Sequence, residues 1–231
     1  MINKKIFVAC DTSSLNNIKK IINQIKTNKL KLIPKFGLQF FYSKDGRKFL
    51  QNFKKDFWLD LKINDIPQTA LSAIDSIKDL KNCKYITVHA NGGLEMLKAV
   101  KKKAKETNKN LKVLGVTILT SLNNKSLKEI GHTKKVEQLV LEQADLIKKA
   151  NLHGIVCAAG LEAKAVRKRH KNLFIVTPGI RLPGDKADDQ SRVFTPYDAL
   201  INNNVSAVVM GRSIVKGNIK NNIKRLIAHL N

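Results

Sequence analysis

Asp60-Leu61-Lys62-Ile63-Asn64-Asp65 places two carboxylates and one ammonium within six residues, directly after the largely apolar, strand-like Asp56-Phe57-Trp58-Leu59. Side chains alternate faces along a strand, so Asp60 and Lys62 point the same way. A carboxylate and an ammonium sharing one face at a strand tip form a charge pair, and a lysine so placed can hold or deliver a proton. Asp65 adds a second carboxylate just past the strand. A lone D-x-K is most often a surface ion pair worth little; the surrounding pattern gives this one more weight.

A second chemically suggestive stretch is Val208-Val209-Met210-Gly211-Arg212-Ser213, a strand followed by glycine and arginine. The backbone N–H of Gly211 can approach an oxyanion closely, and Arg212 supplies a planar fork matched to two phosphate oxygens. The segment from Pro178 to Thr195 has little apolar content and carries Arg181, Pro183-Gly184, Asp185, Asp188, Asp189, Gln190 and Arg192. Loops of this length in compact domains are usually functional lids or disordered. Gln190 has both donor and acceptor, suited to bridging a phosphate and a heterocycle edge. Closure of such a lid over a phosphate would exclude water from the Lys62 site.

These groups need a scaffold, and strand-like and helix-like segments alternate along the whole chain. The strands read as Lys5–Asp11, Lys31–Phe36, Asp56–Leu61, Tyr85–His89, Lys112–Thr117, Gly154–Ala158, Phe174–Thr177 and Ala207–Met210. Short continuous apolar runs such as Ile6-Phe7-Val8-Ala9 fit strands buried on both faces. Helical periodicity fills Leu15–Lys26, Lys44–Phe53, Ile66–Asp79, Leu94–Lys105, Lys135–Ala150, Leu161–Arg169, Pro196–Ile201 and Ile219–Leu230. Val136, Leu139, Val140, Ala144 and Ile147 make one apolar face, and Thr195 before Pro196 reads as an N-cap with proline at the first helical position. Eight βα units in 231 residues predict a single-domain (β/α)8 barrel, the TIM barrel. The rival, an open doubly wound sheet, lacks its G-x-G-x-x-G after the first strand. In a barrel, chemistry collects where strands end. Asp11, Lys35, Asp60 with Lys62, His89, Thr117 with Thr120 and Ser121, Pro178 through Arg181, and Gly211-Arg212 would then share one rim. His89 itself reads as an imidazole at a strand end bonding to backbone.

Composition narrows the function classes. The formal charge of +25 invites a nucleic-acid reading. Lysines spread over nearly every helical segment, however, give salt-sensitive attraction without a reading element, and the chain has few arginines. A positive potential still speeds the arrival of an anionic substrate. Cys10, Cys83 and Cys157 are widely spaced, form no CxxC or Cys/His ligand pattern and read as buried thiols of a reducing cytoplasm. No apolar run is long enough to span a membrane, and the apolar stretch after Lys4-Lys5 is too short for a signal peptide.

The chain resembles the orotidine 5'-monophosphate decarboxylase family along essentially its whole length. The resemblance rests on Ala9-Cys10-Asp11, Lys35-Phe36-Gly37, Asp60 through Thr69, His89-Ala90-Asn91-Gly92-Gly93, Thr117 through Ser121, Thr177-Pro178-Gly179-Ile180-Arg181, Asp189-Gln190-Ser191-Arg192 and Gly211-Arg212. It implies a decarboxylation that forms UMP with neither metal nor organic cofactor, the barrier lowered by preorganised electrostatics. It further implies that Lys62 protonates C6 of the pyrimidine and that Asp60 holds Lys62 charged and opposes the substrate carboxylate. Asp65 and Thr69 would act across a homodimer interface. Asp11 and Lys35 would bind ribose hydroxyls, Ser121 with Thr120 the pyrimidine, and Gln190, Gly211 and Arg212 the phosphate, with Pro178 and Arg181 at the base of the closing loop. The family often has glycine directly before the Asp-Gln pair, where this chain has Asp188. Related barrels that share D-x-K-x-x-D use Mg2+ and place a glutamate at the end of strand two; Lys35 stands there instead and would repel a cation.

Overall fold

The structure, a computed structural model, describes residues 5–185 and 193–231. Its strands are β1 Lys5–Ala9, β2 Lys31–Gly37, β3 Phe57–Ile63, β4 Cys83–His89, β5 Lys112–Val116, β6 Gly154–Val156, β7 Phe174–Thr177 and β8 Ala207–Met210. They pair in parallel in sequence order, and β8 returns to β1 to close the barrel. The expected (β/α)8 architecture is therefore the one observed.

The apolar runs follow from burial on both faces. One set of alternating positions, including Phe7, Ala9, Ile33, Trp58, Tyr85, Val116, Val156 and Val209, packs together inside the barrel. The other set, including Ile6, Val8, Phe36, Leu59, Ile86 and Val88, packs against the helices in a larger cluster. Because every strand is covered inside and out, none needs the polar alternation of a half-exposed sheet.

The helices are α1 Leu15–Gln24, α2 Leu38–Phe41, α3 Gly46–Asn52, α4 Pro67–Asp75, α5 Gly93–Thr107, α6 Asn124–Glu129, α7 Val136–Lys149, α8 Leu161–Arg169, α9 Arg212–Val215 and α10 Ile219–Leu230. The short helices α2, α6 and α9 depart from a strict one-helix-per-strand reading. In α7 the expected apolar face is buried together with Gln143, whose Nε2 donates to Asn91 Oδ1 at 2.7 Å. Thr195 caps as expected, its Oγ accepting from the Asp198 N–H at 3.1 Å. The helix it opens is not regular α, however: from Asp198 to Asn202 it widens into a π-helical turn. The side chain of Asn203 donates back to the Asp198 carbonyl there.

Two strand ends differ from expectation in ways that matter for the site. β1 stops at Ala9, leaving Asp11 on the exposed rim. β3 does not stop at Leu61 but runs to Ile63, with its pairing to β4 interrupted between Leu59 and Ile63. Within that interruption Lys62 has φ 51°, in the left-handed region. A non-glycine residue rarely adopts it without outside support.

Candidate active site

A cavity of about 500 Å³ opens at the C-terminal rim of the barrel. Its walls include Ala9, Val116, Val156 and Val209 from four strands, and Trp58 lies among its lining residues. Trp58 is itself buried, held edge-on by Phe7 at 4.7 Å between ring centres. Among the described residues its indole Nε1 is a buried donor without a partner.

The charged groups form one connected row. Lys35 Nζ lies 3.3 Å from Asp11 Oδ1 and 3.2 Å from Asp60 Oδ2, and Lys62 Nζ lies 3.0 Å from that same Asp60 oxygen. Asp60 and Lys62 thus meet as their shared strand face predicts, and Lys35 of the neighbouring strand joins them. The register of β2 on β3 pairs Lys35 with Trp58 and Gly37 with Asp60, so the Lys35 side chain reaches one pleat along to the carboxylate. Gly37 belongs to this arrangement, since a Cβ there would stand 3.0 Å from Asp11 Oδ1.

Lys35 and Asp60 are 6 % and 7 % exposed, and charges so buried are tolerated only when paired. Burial opposes the charge of Asp60, but the Lys35 and Lys62 ammoniums outweigh it and hold the carboxyl below its ordinary range. Burial likewise opposes the charge of Lys35, and Asp60 and Asp11 outweigh it, so the ammonium is held above its ordinary value. Both groups stay ionised. The other Asp60 oxygen accepts a hydrogen bond of 2.8 Å from the hydroxyl of Thr87. Thr87 carried no sequence signal beyond its place two residues before His89, on the inward face of β4.

The neighbouring rim positions divide. Thr120, Pro178, Arg181, Gly211 and Arg212 line the cavity. Ser121 is exposed and is not among its lining residues. Asp65 and Thr69 lie in an exposed run from Asn64 to Thr69, outside the cavity of this chain. Gln190, with Asp188, Asp189 and Arg192, falls outside the described residues. Arg181 is buried and donates to the Ile180 carbonyl. The base of its loop is closed where Ile180 bridges Phe194. Gly179 has φ 79°, a conformation that suits glycine. At Gly211 an added Cβ would meet nothing closer than Ala9 Cβ at 3.5 Å. Packing therefore does not require glycine there.

His89 accepts from the Asn91 N–H through Nδ1 at 3.4 Å, the backbone bond expected of it. Burial first, then the nearby Lys62 charge, pushes its pKa below the ordinary imidazole value. Cys10, Cys83 and Cys157 are buried and free, with Cys10 and Cys83 pushed up to about 12 by burial. Among the described residues no group of three or more His, Cys, Asp or Glu is placed to hold a metal ion, and no helix is long and apolar enough to cross a membrane.

Comparison with known proteins gives one consistent answer. The model of the orotidine 5'-phosphate decarboxylase / HUMPS family matches residues 4–224. An orotidine 5'-phosphate decarboxylase of a Wolbachia from Brugia malayi is 39 % identical over 225 residues, covering 96 % of each chain. That of Malacoplasma penetrans is 34 % identical over 222 residues, covering 94 % of each. Among solved structures, the orotidine 5'-phosphate decarboxylase of Lactobacillus acidophilus superposes with a TM-score of 0.82 at 28 % identity, over 99 % of both chains.

Proposed function

Since the chain belongs to the orotidine 5'-phosphate decarboxylase / HUMPS family, we propose that its Asp60–Lys62 pair carries out the decarboxylation of orotidine 5'-monophosphate to UMP. The reaction is a carboxy-lyase step of pyrimidine biosynthesis. The observation that carries the assignment of residues is the row Asp11–Lys35–Asp60–Lys62, with its last ammonium at the mouth of the cavity.

Breaking the C6–carboxyl bond releases CO2 and leaves the bonding electron pair on C6. Lys62 stabilises that charge as it forms and then donates its proton to C6, later regaining one from solvent. The Asp60 carboxylate, fixed by two ammoniums and one hydroxyl, keeps Lys62 charged and faces the substrate carboxylate. Fixed charges of this kind need no reorganisation during the reaction. Lys35 serves this row first, and Asp11 remains open to a ribose hydroxyl. Thr120 and Ser121 contact the pyrimidine. Gly211, Arg212 and Gln190 hold the phosphate, with Pro178 and Arg181 supporting the loop. Phosphate binding then supplies energy for closing the reactive state.

The Asn64–Thr69 run has Ile66 66 % exposed, and the segment after β2 leaves Tyr42 75 % exposed. Such uncovered apolar side chains support a homodimer that brings Asp65 and Thr69 to the partner's cavity. In this reading the whole chain is one decarboxylase domain working in the cytoplasm, on a small nucleotide and not on nucleic acid.

No metal or organic cofactor enters this mechanism. A sugar-phosphate barrel of the Mg2+ type would need an acidic ligand where Lys35 stands. Loss of orotidine monophosphate absorbance on adding the protein, unchanged after exhaustive chelation, is the expected result. Strict dependence on Mg2+ would overturn the mechanism.

A further inference from the structure

Thr87 is fully buried inside the barrel and its hydroxyl does two things at once. It accepts from the backbone N–H of Lys62 at 3.0 Å and donates to Asp60 Oδ1 at 2.8 Å. The first bond falls where the β3–β4 ladder is interrupted and supports Lys62 in its left-handed conformation, φ 51°. The second assigns one carboxylate oxygen to the hydroxyl and leaves Oδ2 to the two ammoniums at 3.0 and 3.2 Å. Without it, the Asp60 carboxylate could turn about its own side-chain axis and share both oxygens with the lysines. A ladder hydrogen bond that a regular strand would have supplied from backbone comes here from a side chain.

We propose that Thr87 is a positioning residue of the decarboxylation, orienting the Asp60 carboxylate plane and the Lys62 backbone through one hydroxyl. Misplacing a donor by an ångström costs rate far more than it costs binding, because the lost interaction belongs to the transition state. The inference rests on the reading of Asp60 and Lys62 as the reacting pair.

Thr87→Val keeps the shape and removes the hydroxyl; Thr87→Ser keeps the hydroxyl. The Val variant is expected to lose about 10- to 100-fold in kcat, the worth of one or two buried hydrogen bonds to charged groups, while its UMP dissociation constant moves less than about threefold. The Ser variant is expected to recover most of the rate. Thr87→Ala, compared with Ser in the same way, serves if the Val protein does not fold. A hydroxyl-free variant that folds and keeps the wild-type kcat overturns the inference, as does a Ser variant as slow as the Val one. Lys62→Ala is assayed alongside. If it retains turnover, the reading of the pair has failed; if it is inactive while Thr87→Val keeps the wild-type kcat, only the role of Thr87 has.

Discussion

Lys35 and Lys62 reach the same oxygen of Asp60 from two adjacent strands, at 3.2 and 3.0 Å, yet they stand in different surroundings. The Lys35 side chain is 7 % exposed and that of Lys62 35 %. The two ammoniums therefore divide the work. Lys35 is built into the barrel and neutralises a carboxylate that is itself buried. Lys62 stands at the opening, where a substrate can meet it.

That division predicts different consequences for removing each. Lys62→Ala should abolish turnover and leave the thermal midpoint close to wild type, because Asp60 keeps Lys35. Lys35→Ala should cost about 3–5 kcal/mol of stability as well as activity, since it strips a buried carboxylate of its inner partner. Denaturant titration of both variants beside a decarboxylation assay separates the two effects. Equal stability losses would contradict the division.

Arg212 is expected to act on the phosphate and not on the ring. Arg212→Ala should lose far more kcat/KM on the nucleotide than on the truncated nucleoside, which lacks the group Arg212 would hold. Parallel losses on the two substrates would remove Arg212 from the phosphate site.

His153, just before β6, packs against the Phe174 ring at 5.1 Å between ring centres. Burial, and then the charges of Lys112, Lys101 and Lys5, push its pKa down to about 4. Between the ordinary value near 6.5 and that value, the unfolded chain binds a proton that the folded protein refuses. Stability therefore falls as pH drops through this window, by about 1–2 kcal/mol after allowing for partial exposure. His153→Phe should keep the ring contact and lose this part of the acid sensitivity. Denaturant midpoints at pH 7 and pH 4.5 measure it.

Arg167 is engaged by its whole guanidinium. It donates to the carbonyls of Lys171, Leu173 and Asn204 and to the Ser206 hydroxyl, at 2.6 to 3.2 Å. Arg167→Ala should cost about 2 kcal/mol by leaving these acceptors unpaired, and Arg167→Lys should recover little, since a point charge cannot span them. A lysine variant as stable as wild type would refute the role.

The barrel was legible because its strands are short, apolar and evenly spaced, and because eight such units leave few architectures. The pairing of Asp60 with Lys62 was legible from a two-residue period. Lys35 joining them was not, because strand register is a property of the closed sheet and not of either segment. Thr87 and Gly37 were hidden for the same reason. The left-handed backbone at Lys62 was unreadable because lysine carries no preference for it; neighbours on β4 impose it. Helices α2, α6 and α9 are four to six residues long, too short to display a periodicity. Ser121 is exposed and does not line the cavity, a placement that its position after a strand end does not announce.

Trp58 is the chain's single tryptophan, and it sits among the residues that line the cavity. The protein thus carries its own optical reporter. Every photon of indole emission originates beside the charged row, with no second fluorophore of that kind to dilute it. Nucleotide entry should change that emission in unlabelled protein, so occupancy can be followed on a stopped-flow timescale while turnover is recorded separately.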